Sequence, residues 1–459
     1  MNALKKLFAP VDMTVGTPWK QITLFTIPMI IGNIAQQLYN TVDSIVVGRY
    51  VGDNALAAVG SAGPILNLLI VLFVGISVGA GIVVAQYLGA KDRENLASAI
   101  GNCITLVAIA SGFIMILAPI IARPMLRLIN TPDSILDWCT SYLIILFVDC
   151  PGSGYYNILS GILRGLGDSM SALWYLVIAT VLNIILDVLF VAQFHMGISG
   201  VALATVIAQT VSAILCIRKL LRMKEYFELH AGDLKLKKEQ AMTIIRLGIP
   251  SGLTQAIFSM ATILVQNLTN SFGEMLIAAN VIVMRVDGFA MMPNFSFGNA
   301  TTTYAGQNVG AKQMKRVEDG ARQGTALAVG TAGVLTIIIL IFGKYLMGIF
   351  TTTAELVSLA NSLMRILAVG YVAMAVTQSL SGIMRGAGDT VTPMVISFVV
   401  TVIIRVPLAY LLVALSKSAE YPMGRGECIF VSLLLSWLSG AVITSICYKR
   451  GKWKEKAIR

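Results

Sequence analysis

Twelve apolar runs of membrane-spanning length set the main constraint on how this chain of 459 residues can fold. They lie near 22–46, 57–86, 97–122, 135–160, 170–193, 198–221, 243–270, 276–306, 318–347, 355–383, 392–415 and 427–448. Lipid offers the backbone no hydrogen-bond partners, and the alternating strands of a membrane barrel are absent from this pattern. The composition is 56% hydrophobic and 12% charged, with a mean hydropathy of +0.80. The sequence therefore predicts an all-α membrane protein with twelve transmembrane helices.

The two halves of the chain repeat each other at an offset of 221 residues. Gly-Ile-Leu-Arg-Gly-Leu-Gly-Asp at 161–168 recurs as Gly-Ile-Met-Arg-Gly-Ala-Gly-Asp at 382–389, and Gly-Ala-Lys at 89–91 recurs at 310–312. In each Gly-rich turn we expect the aspartate to cap the helix that follows. Duplicated halves with six helices each predict two bundles related by a pseudo-twofold axis along the membrane normal. The predicted parts are an N-lobe at 1–222, a cytoplasmic linker at 223–240 and a C-lobe at 241–459.

The distribution of basic residues predicts the orientation. Of the 34 Lys and Arg residues, 24 fall on the side that holds both termini and the linker, and six fall on the other side. The positive-inside rule then makes both termini cytoplasmic. The net charge of +11 is explained by this topology, and we expect no nucleic-acid partner.

Polar side chains mark the first and seventh helices at helical spacing. The first helix carries Asn33, Gln36, Asn40 and Asp43, and the seventh carries Gln255, Ser259, Thr262 and Gln266. Each set lies on one helix face. The two stripes are interpreted as the lining of a hydrated central cavity, the alternative being hydrogen bonds that hold the helices together.

Acidic residues inside predicted helices are candidates for function, because charge at membrane depth is costly. Asn183 and Asp187 are one turn apart on the fifth helix. If Asp187 and Asp43 converge in a low-dielectric pocket, one is protonated or both hold a cation, which is the chemistry of a coupling site. Asp287 precedes Met291 and Met292, which predicts either a pliable wall for lipophilic cations or ordinary packing. Asp149, before Pro151 and two glycines, predicts a helix break.

Several motifs, taken together and in their order along the chain, resemble those of multidrug and toxic compound extrusion (MATE) transporters. The resemblance covers about residues 17 to 450. These motifs are Ile27-Pro28, Asn40-Thr-Val-Asp43, Gln86-x-x-Gly89-Ala-Lys91, Arg164-Gly-x-Gly-Asp168, Asn183-Ile-x-Leu-Asp187 and Gly200-Val-Ala-Leu-Ala-Thr205. The resemblance implies a V-shaped pair of six-helix bundles that exports organic cations in exchange for H⁺ or Na⁺.

The resemblance also implies site residues. The N-lobe cation site of related members corresponds to Asp43, Asn183, Asp187 and Thr205, and Pro28 corresponds to the proline associated with bending of the first helix. One branch of the family has a second cation site built from acidic residues of the seventh and tenth helices. Here 252–262 and 373–379 contain no acid, so the coupling chemistry is expected in the N-lobe alone.

The resulting prediction is a monomeric antiporter of the bacterial inner membrane, surrounded by lipid, that exports lipophilic and mostly cationic drugs or toxic metabolites by alternating access. It requires H⁺ or Na⁺ and no other cofactor. The alternative is a lipid-linked precursor or polysaccharide flippase of the same superfold, for which a strongly basic cavity would be expected. An enzyme is disfavoured, because His195 and His230 belong to no metal or nucleophile motif.

Overall fold

The computed structural model of the chain describes residues 10–46, 50–51, 53–128, 131, 133–148 and 150–457. Within these ranges, the side chains of residues 40, 42–45, 53–61, 63–65, 67–70, 72, 118 and 128 lie outside the description. Asp149 also lies outside the described residues.

In the first half of the chain, the described residues include seven α-helices. They are α1 (Pro18–Val46), α2 (Asp53–Gly89), α3 (Arg93–Leu128), α4 (Asp133–Val148), α5 (Cys150–Gly165), α6 (Ser169–Asp187) and α7 (Gly197–Leu221). A π-helical segment, Val188–Gln193, continues α6 toward α7. Because α4 and α5 follow each other at a bend of more than 40°, they count as one broken span.

The second half follows the same order. Its helices are α8 (Lys238–Asn270), α9 (Glu274–Gly310), α10 (Met314–Gly348), α11 (Ala354–Ala368), α12 (Gly370–Gly386), α13 (Val391–Phe398), α14 (Arg405–Leu415) and α15 (Glu427–Arg450). The pair α11 and α12 is bent at the position equivalent to the break between α4 and α5. A π-helical segment, Val399–Ile404, joins α13 to α14 in one continuous span.

The predicted membrane architecture is confirmed. Within the described residues, eight helical segments are long and apolar enough to cross a membrane, and each of the two bent pairs adds one more. Together with α1 and α2, whose side chains are only partly described, they follow the twelve apolar runs of the sequence in order.

The repeated turns have the same backbone conformation in both halves. Gly167 and Gly388 have φ of +86° and +99°, the left-handed region that favours glycine. Asp168 accepts a hydrogen bond from the backbone nitrogen of Ser171 at 2.8 Å, and Asp389 accepts one from that of Thr392 at 3.2 Å. Both aspartates therefore cap the following helix, as the sequence predicts.

Contacts divide the chain into two compact units at positions that differ from the predicted lobe boundaries. Unit 1 comprises Met1–Asp12 and Ile27–Gly252, and unit 2 comprises Met13–Thr26 and Leu253–Arg459. The polar stretch at 223–240 belongs to unit 1 and does not separate the two units.

Close packing explains why the linker and the start of α8 belong to unit 1. Lys237 donates its backbone N–H to Oδ1 of Asn102 at 2.7 Å, and Thr105 donates its hydroxyl to the carbonyl of Leu234 at 2.6 Å. Farther along α8, a Cβ added to Gly79 of α2 would lie 2.7 Å from the backbone nitrogen of Gly248. Glycine at this crossing lets the two helices approach closely.

The segment at 13–26 belongs to unit 2 because α10 and the end of α9 hold it by hydrogen bonds. The guanidinium of Arg316 donates to the carbonyls of Met13, Val15 and Gly16 at distances of 2.7 to 3.3 Å. Gln307 accepts a hydrogen bond from the backbone nitrogen of Met13 at 3.0 Å. One arginine thus satisfies three carbonyls immediately before α1.

We expect Arg316→Gln to release this segment. Hydrogen bonds to charged groups are worth about 1.5–3 kcal/mol each when buried, and partial exposure reduces this to a total loss of about 2 kcal/mol in the free energy of unfolding. Hydrogen exchange of the amides at 13–19 should accelerate, and the thermal unfolding midpoint in detergent should fall. Lys315→Gln removes the same charge from the exposed neighbouring residue and is the control. Equal exchange in the two variants would contradict the assignment.

Candidate functional site

The end of α6 places two polar side chains in the interior of unit 1. Asn183 and Asp187 lie one helical turn apart on the same face, and both have 0% of their surface exposed. Asp187 is the last residue of α6, directly before the π-helical segment Val188–Gln193. Such segments are frequent at functional sites, because they interrupt the regular pattern of backbone hydrogen bonds.

The amide of Asn183 connects Asp187 to α7. In the orientation that satisfies both of its neighbours, Asn183 donates from Nδ2 to Oδ2 of Asp187 at 3.0 Å, and its Oδ1 accepts from the backbone nitrogen of Thr205 at 3.3 Å. The amide oxygen then lies 3.5 Å from Oγ1 of Thr205. Asn183 is therefore in direct contact with both Asp187 and Thr205, and these are three of the four residues predicted as a cation site.

Tyr39 brings α1 to the same cluster. Its side chain is 7% exposed, and its hydroxyl donates to Oγ1 of Thr205 at 3.2 Å. Asp43 is one helical turn beyond Tyr39 in α1, so the two positions are on the same face of that helix. The side chains of Asp43 and Asn40 lie outside the described residues. Tyr39 was not among the predicted site residues; its position one turn before Asp43 is the signal that identifies it.

The remaining predicted residues of α1 are less enclosed. Asn33 and Gln36 are half-buried in unit 1. Pro28 lies inside α1, which remains helical on both sides of it. Bending at Pro28 and a role for Asn33 and Gln36 in a cavity stay predictions.

In unit 2, the structure separates the predicted cavity residues into different environments. Gln255 and Ser259 of α8 are exposed, whereas Met291 is buried and Met292 half-buried in α9. Gln266 donates to Oδ1 of Asn270 at 2.8 Å and accepts from Nδ2 of Asn280 at 3.5 Å, both within unit 2. The predicted facing of the α1 and α8 stripes stays a prediction.

Asp287 lines a small cavity of mixed polar and apolar residues inside unit 2, together with Gln266 and Arg405. Its Oδ1 accepts a hydrogen bond from the hydroxyl of Tyr371 at 2.9 Å. The methionines expected beside it, Met291 and Met292, are not among the cavity's lining residues. The relevant neighbours, Tyr371 and Arg405, are 84 and 118 residues farther along the chain, and no local spacing connects them to Asp287.

An apolar cavity of about 490 Å³ in unit 1 opens beside the break between α4 and α5. It is lined mainly by aliphatic side chains, including Ile144, Leu203 and Ile217. None of the predicted site residues lines it. Its surface is suited to lipid chains or other apolar groups and has no charged side chain.

Comparison with known proteins identifies the family. The MatE family model matches residues 28–189 and, a second time, residues 250–411. The two matches are of equal length and together cover seven-tenths of the chain. The chain belongs to the MATE family of membrane transporters. The double match also confirms the internal duplication, and both segments begin at the repeated prolines, Pro28 and Pro250.

Individual MATE proteins resemble the chain over nearly its whole length. "Probable multidrug resistance protein YoeA" of Bacillus subtilis is 31% identical over 96% of this chain and 95% of its own. "Probable multidrug resistance protein NorM" of Thermotoga maritima is 24% identical, with 96% and 94% covered. A crystal structure of MATE in complex with MaL6 shares the fold with a TM-score of 0.89 at 24% identity, covering 96% of this chain and 98% of that one.

Proposed function

We propose that this MATE protein is an antiporter that exports lipophilic, mostly cationic drugs or toxic metabolites in exchange for H⁺ or Na⁺. The observation that carries the proposal is the contact of Asn183 with both Asp187 and Thr205 in unit 1, in which Asn183 and Asp187 are fully buried. The multidrug-resistance names of YoeA and NorM support the substrate class.

The chemistry of the cluster suits reversible binding of a cation. A carboxylate without exposed surface is costly unless hydrogen bonds or a positive charge compensate it. Asn183 supplies one hydrogen bond to Asp187, and the oxygens of Thr205 and Asp187 are ligand types that Na⁺ accepts. A proton on Asp187 would neutralise the same charge. Either ion therefore changes the electrostatics among α1, α6 and α7, where the cluster is assembled.

Coupling follows if the ion and the drug have different affinities for two conformations. An ion bound at Asp187 stabilises the conformation in which α1, α6 and α7 meet at the cluster. A cationic substrate competes with the ion for the same negative charge. We place Asp43 in this site as the second carboxylate. Alternating access would then convert the downhill entry of the ion into uphill export of the drug.

We further propose that the protein acts as a monomer in the bacterial inner membrane, with both termini in the cytoplasm. The linker at 223–240 then lies on the cytoplasmic side with Arg164 and Arg385. No cofactor is required beyond the coupling ion.

Transport in proteoliposomes tests the proposal directly. Purified protein is reconstituted in vesicles loaded with ethidium. An inward H⁺ gradient, with the outside more acidic, and an inward Na⁺ gradient are imposed in separate experiments. We expect one gradient to accelerate ethidium efflux at least tenfold over vesicles without protein, and the other to have little effect. Folded protein that moves ethidium at the same rate with both gradients collapsed would contradict antiport. Absence of efflux under either gradient would contradict the proposed substrate class.

A further inference from the structure

Unit 2 contains a small cavity of mixed lining, with two charged residues, that the proposed coupling mechanism does not use. Its volume is about 40 Å³, and residues of α8, α9, α11, α14 and α15 line it. One water molecule needs roughly 10–15 Å³ of such volume, so the cavity has room for two or three waters or for a small ion with a water. Its charged lining residues are Asp287 of α9 and Arg405 of α14.

The carboxylate of Asp287 is fixed in place by a rigid neighbour. Tyr371, which donates to it, has 0% exposed surface and packs on Trp437 with ring centroids 5.8 Å apart. Asn294 donates to the backbone carbonyl of Tyr371 at 3.2 Å. Because Tyr371 cannot move away easily, the carboxylate remains at the cavity wall. A single neutral hydrogen bond does not compensate a full negative charge inside a membrane helix.

Arg405 supplies an opposite charge at the same cavity. It is the first residue of α14, directly after the π-helical segment Val399–Ile404. Its Nε is buried and has no hydrogen-bond partner among the side chains and backbone that the structure describes. Asp287 and Arg405 are also absent from the direct ion pairs, within 4.0 Å, of the described residues. The two charges thus face one cavity without touching each other.

We propose that Arg405 is a built-in counter-cation for Asp287, which makes it the residue that prevents unit 2 from binding a monovalent metal cation. The carboxylate and the amide side chains of Gln266 and Asn280, which line the same cavity, would otherwise offer oxygen ligands to such a cation. The guanidinium neutralises the carboxylate through water in the cavity and repels a second cation. At a separation of about 5 Å and an effective dielectric constant of about 20, this repulsion weakens cation binding on the order of 100-fold.

If Arg405 excludes a cation, a variant without its charge should gain a Na⁺ ion. The number of Na⁺ ions bound by purified protein is measured with ²²Na⁺ for the wild type, Arg405→Gln and the double variant Arg405→Gln with Asp287→Asn. We expect Arg405→Gln to bind one more Na⁺ than the wild type and the double variant to return to the wild-type number. Arg405→Lys keeps the charge and is the matched control, with the wild-type number expected. This result is independent of whether the wild type couples to H⁺ or Na⁺ in unit 1.

Two outcomes would overturn the inference. The first is an Arg405→Gln protein that elutes as a monodisperse species in size exclusion and still binds the same number of Na⁺ ions as the wild type. The second needs no substitution at Arg405: if Asp287→Asn alone lowers the number of bound Na⁺ ions below that of the wild type, Asp287 already holds Na⁺ and Arg405 does not exclude it. Arg405→Met, with a similar chain length and no charge, replaces Arg405→Gln if the latter does not fold, and the same extra ion is expected.

Discussion

Asp187→Asn is expected to reduce ion-driven efflux at least 100-fold while leaving the protein folded. The substitution keeps the size of the side chain and its contact with Asn183, but it removes the charge that the proposed coupling ion neutralises. Efflux is measured in proteoliposomes with the gradient that drives the wild type, and resistance to ethidium is measured in cells. Binding of the cationic substrate at equilibrium should weaken as well, because the substrate competes for the same negative charge.

The exposed acid Asp137 provides the matched control for this substitution. It pairs with Arg123 on the surface at 3.0 Å, and 76% of its side chain is exposed. Asp137→Asn should retain efflux within twofold of the wild type. Wild-type efflux from Asp187→Asn at equal expression would remove Asp187 from the mechanism, and Asp43→Asn would then be the decisive variant for the remaining carboxylate.

Asp168→Asn is expected to destabilise the protein much more than the equivalent change in the second repeat, Asp389→Asn. Asp168 has a side chain with 0% exposure and pairs with Lys219 at 3.2 Å. Removing one partner of a buried ion pair costs about 3–5 kcal/mol, and we expect about 2–3 kcal/mol here because a fifth of the Lys219 side chain is exposed. Asparagine can still cap α6, so the loss comes from the ion pair with Lys219 and from the hydrogen bond that the Ser171 hydroxyl donates to the same carboxylate oxygen.

The duplication itself supplies the control for this comparison. Asp389 caps α13 through Thr392 in the same way, but no ion pair within 4.0 Å involves it in the described part of the chain. Asp389→Asn should change the free energy of unfolding by less than about 0.5 kcal/mol. Unfolding of both variants is followed in mixed micelles by circular dichroism. Equal losses in the two variants would mean that the pair with Lys219 contributes nothing measurable.

Features that depend on local chemistry could be predicted from the sequence. The apolar runs predicted all twelve spans, because only a helix satisfies the backbone in lipid. The repeated Gly-x-Gly-Asp turns predicted glycines at positive φ and aspartate caps, and Gly167, Gly388, Asp168 and Asp389 confirm both. The break near Asp149 was also predicted, since Pro151 has no N–H to continue the backbone hydrogen bonds from α4 into α5.

Features that depend on distant contacts could not be predicted from one sequence. The polar composition of 223–240 indicated a linker between lobes, but its hydrogen bonds to Asn102 and Thr105 make it part of unit 1. Arg405 lies inside an apolar run of the sequence, but its place beside the same cavity as Asp287 depends on how α9 and α14 pack. The contact of Asn183 with Thr205 followed from the family resemblance, and Tyr39 came only from the structure.

The helices α1 and α8 are each divided between the two units. The first nine residues of α1 belong to unit 2 and the rest to unit 1, while α8 begins in unit 1 and ends in unit 2. Each unit is thus completed by the opening turns of the other repeat's first helix, which is the single-chain counterpart of a domain swap. A fragment cut at the linker would contain neither unit whole.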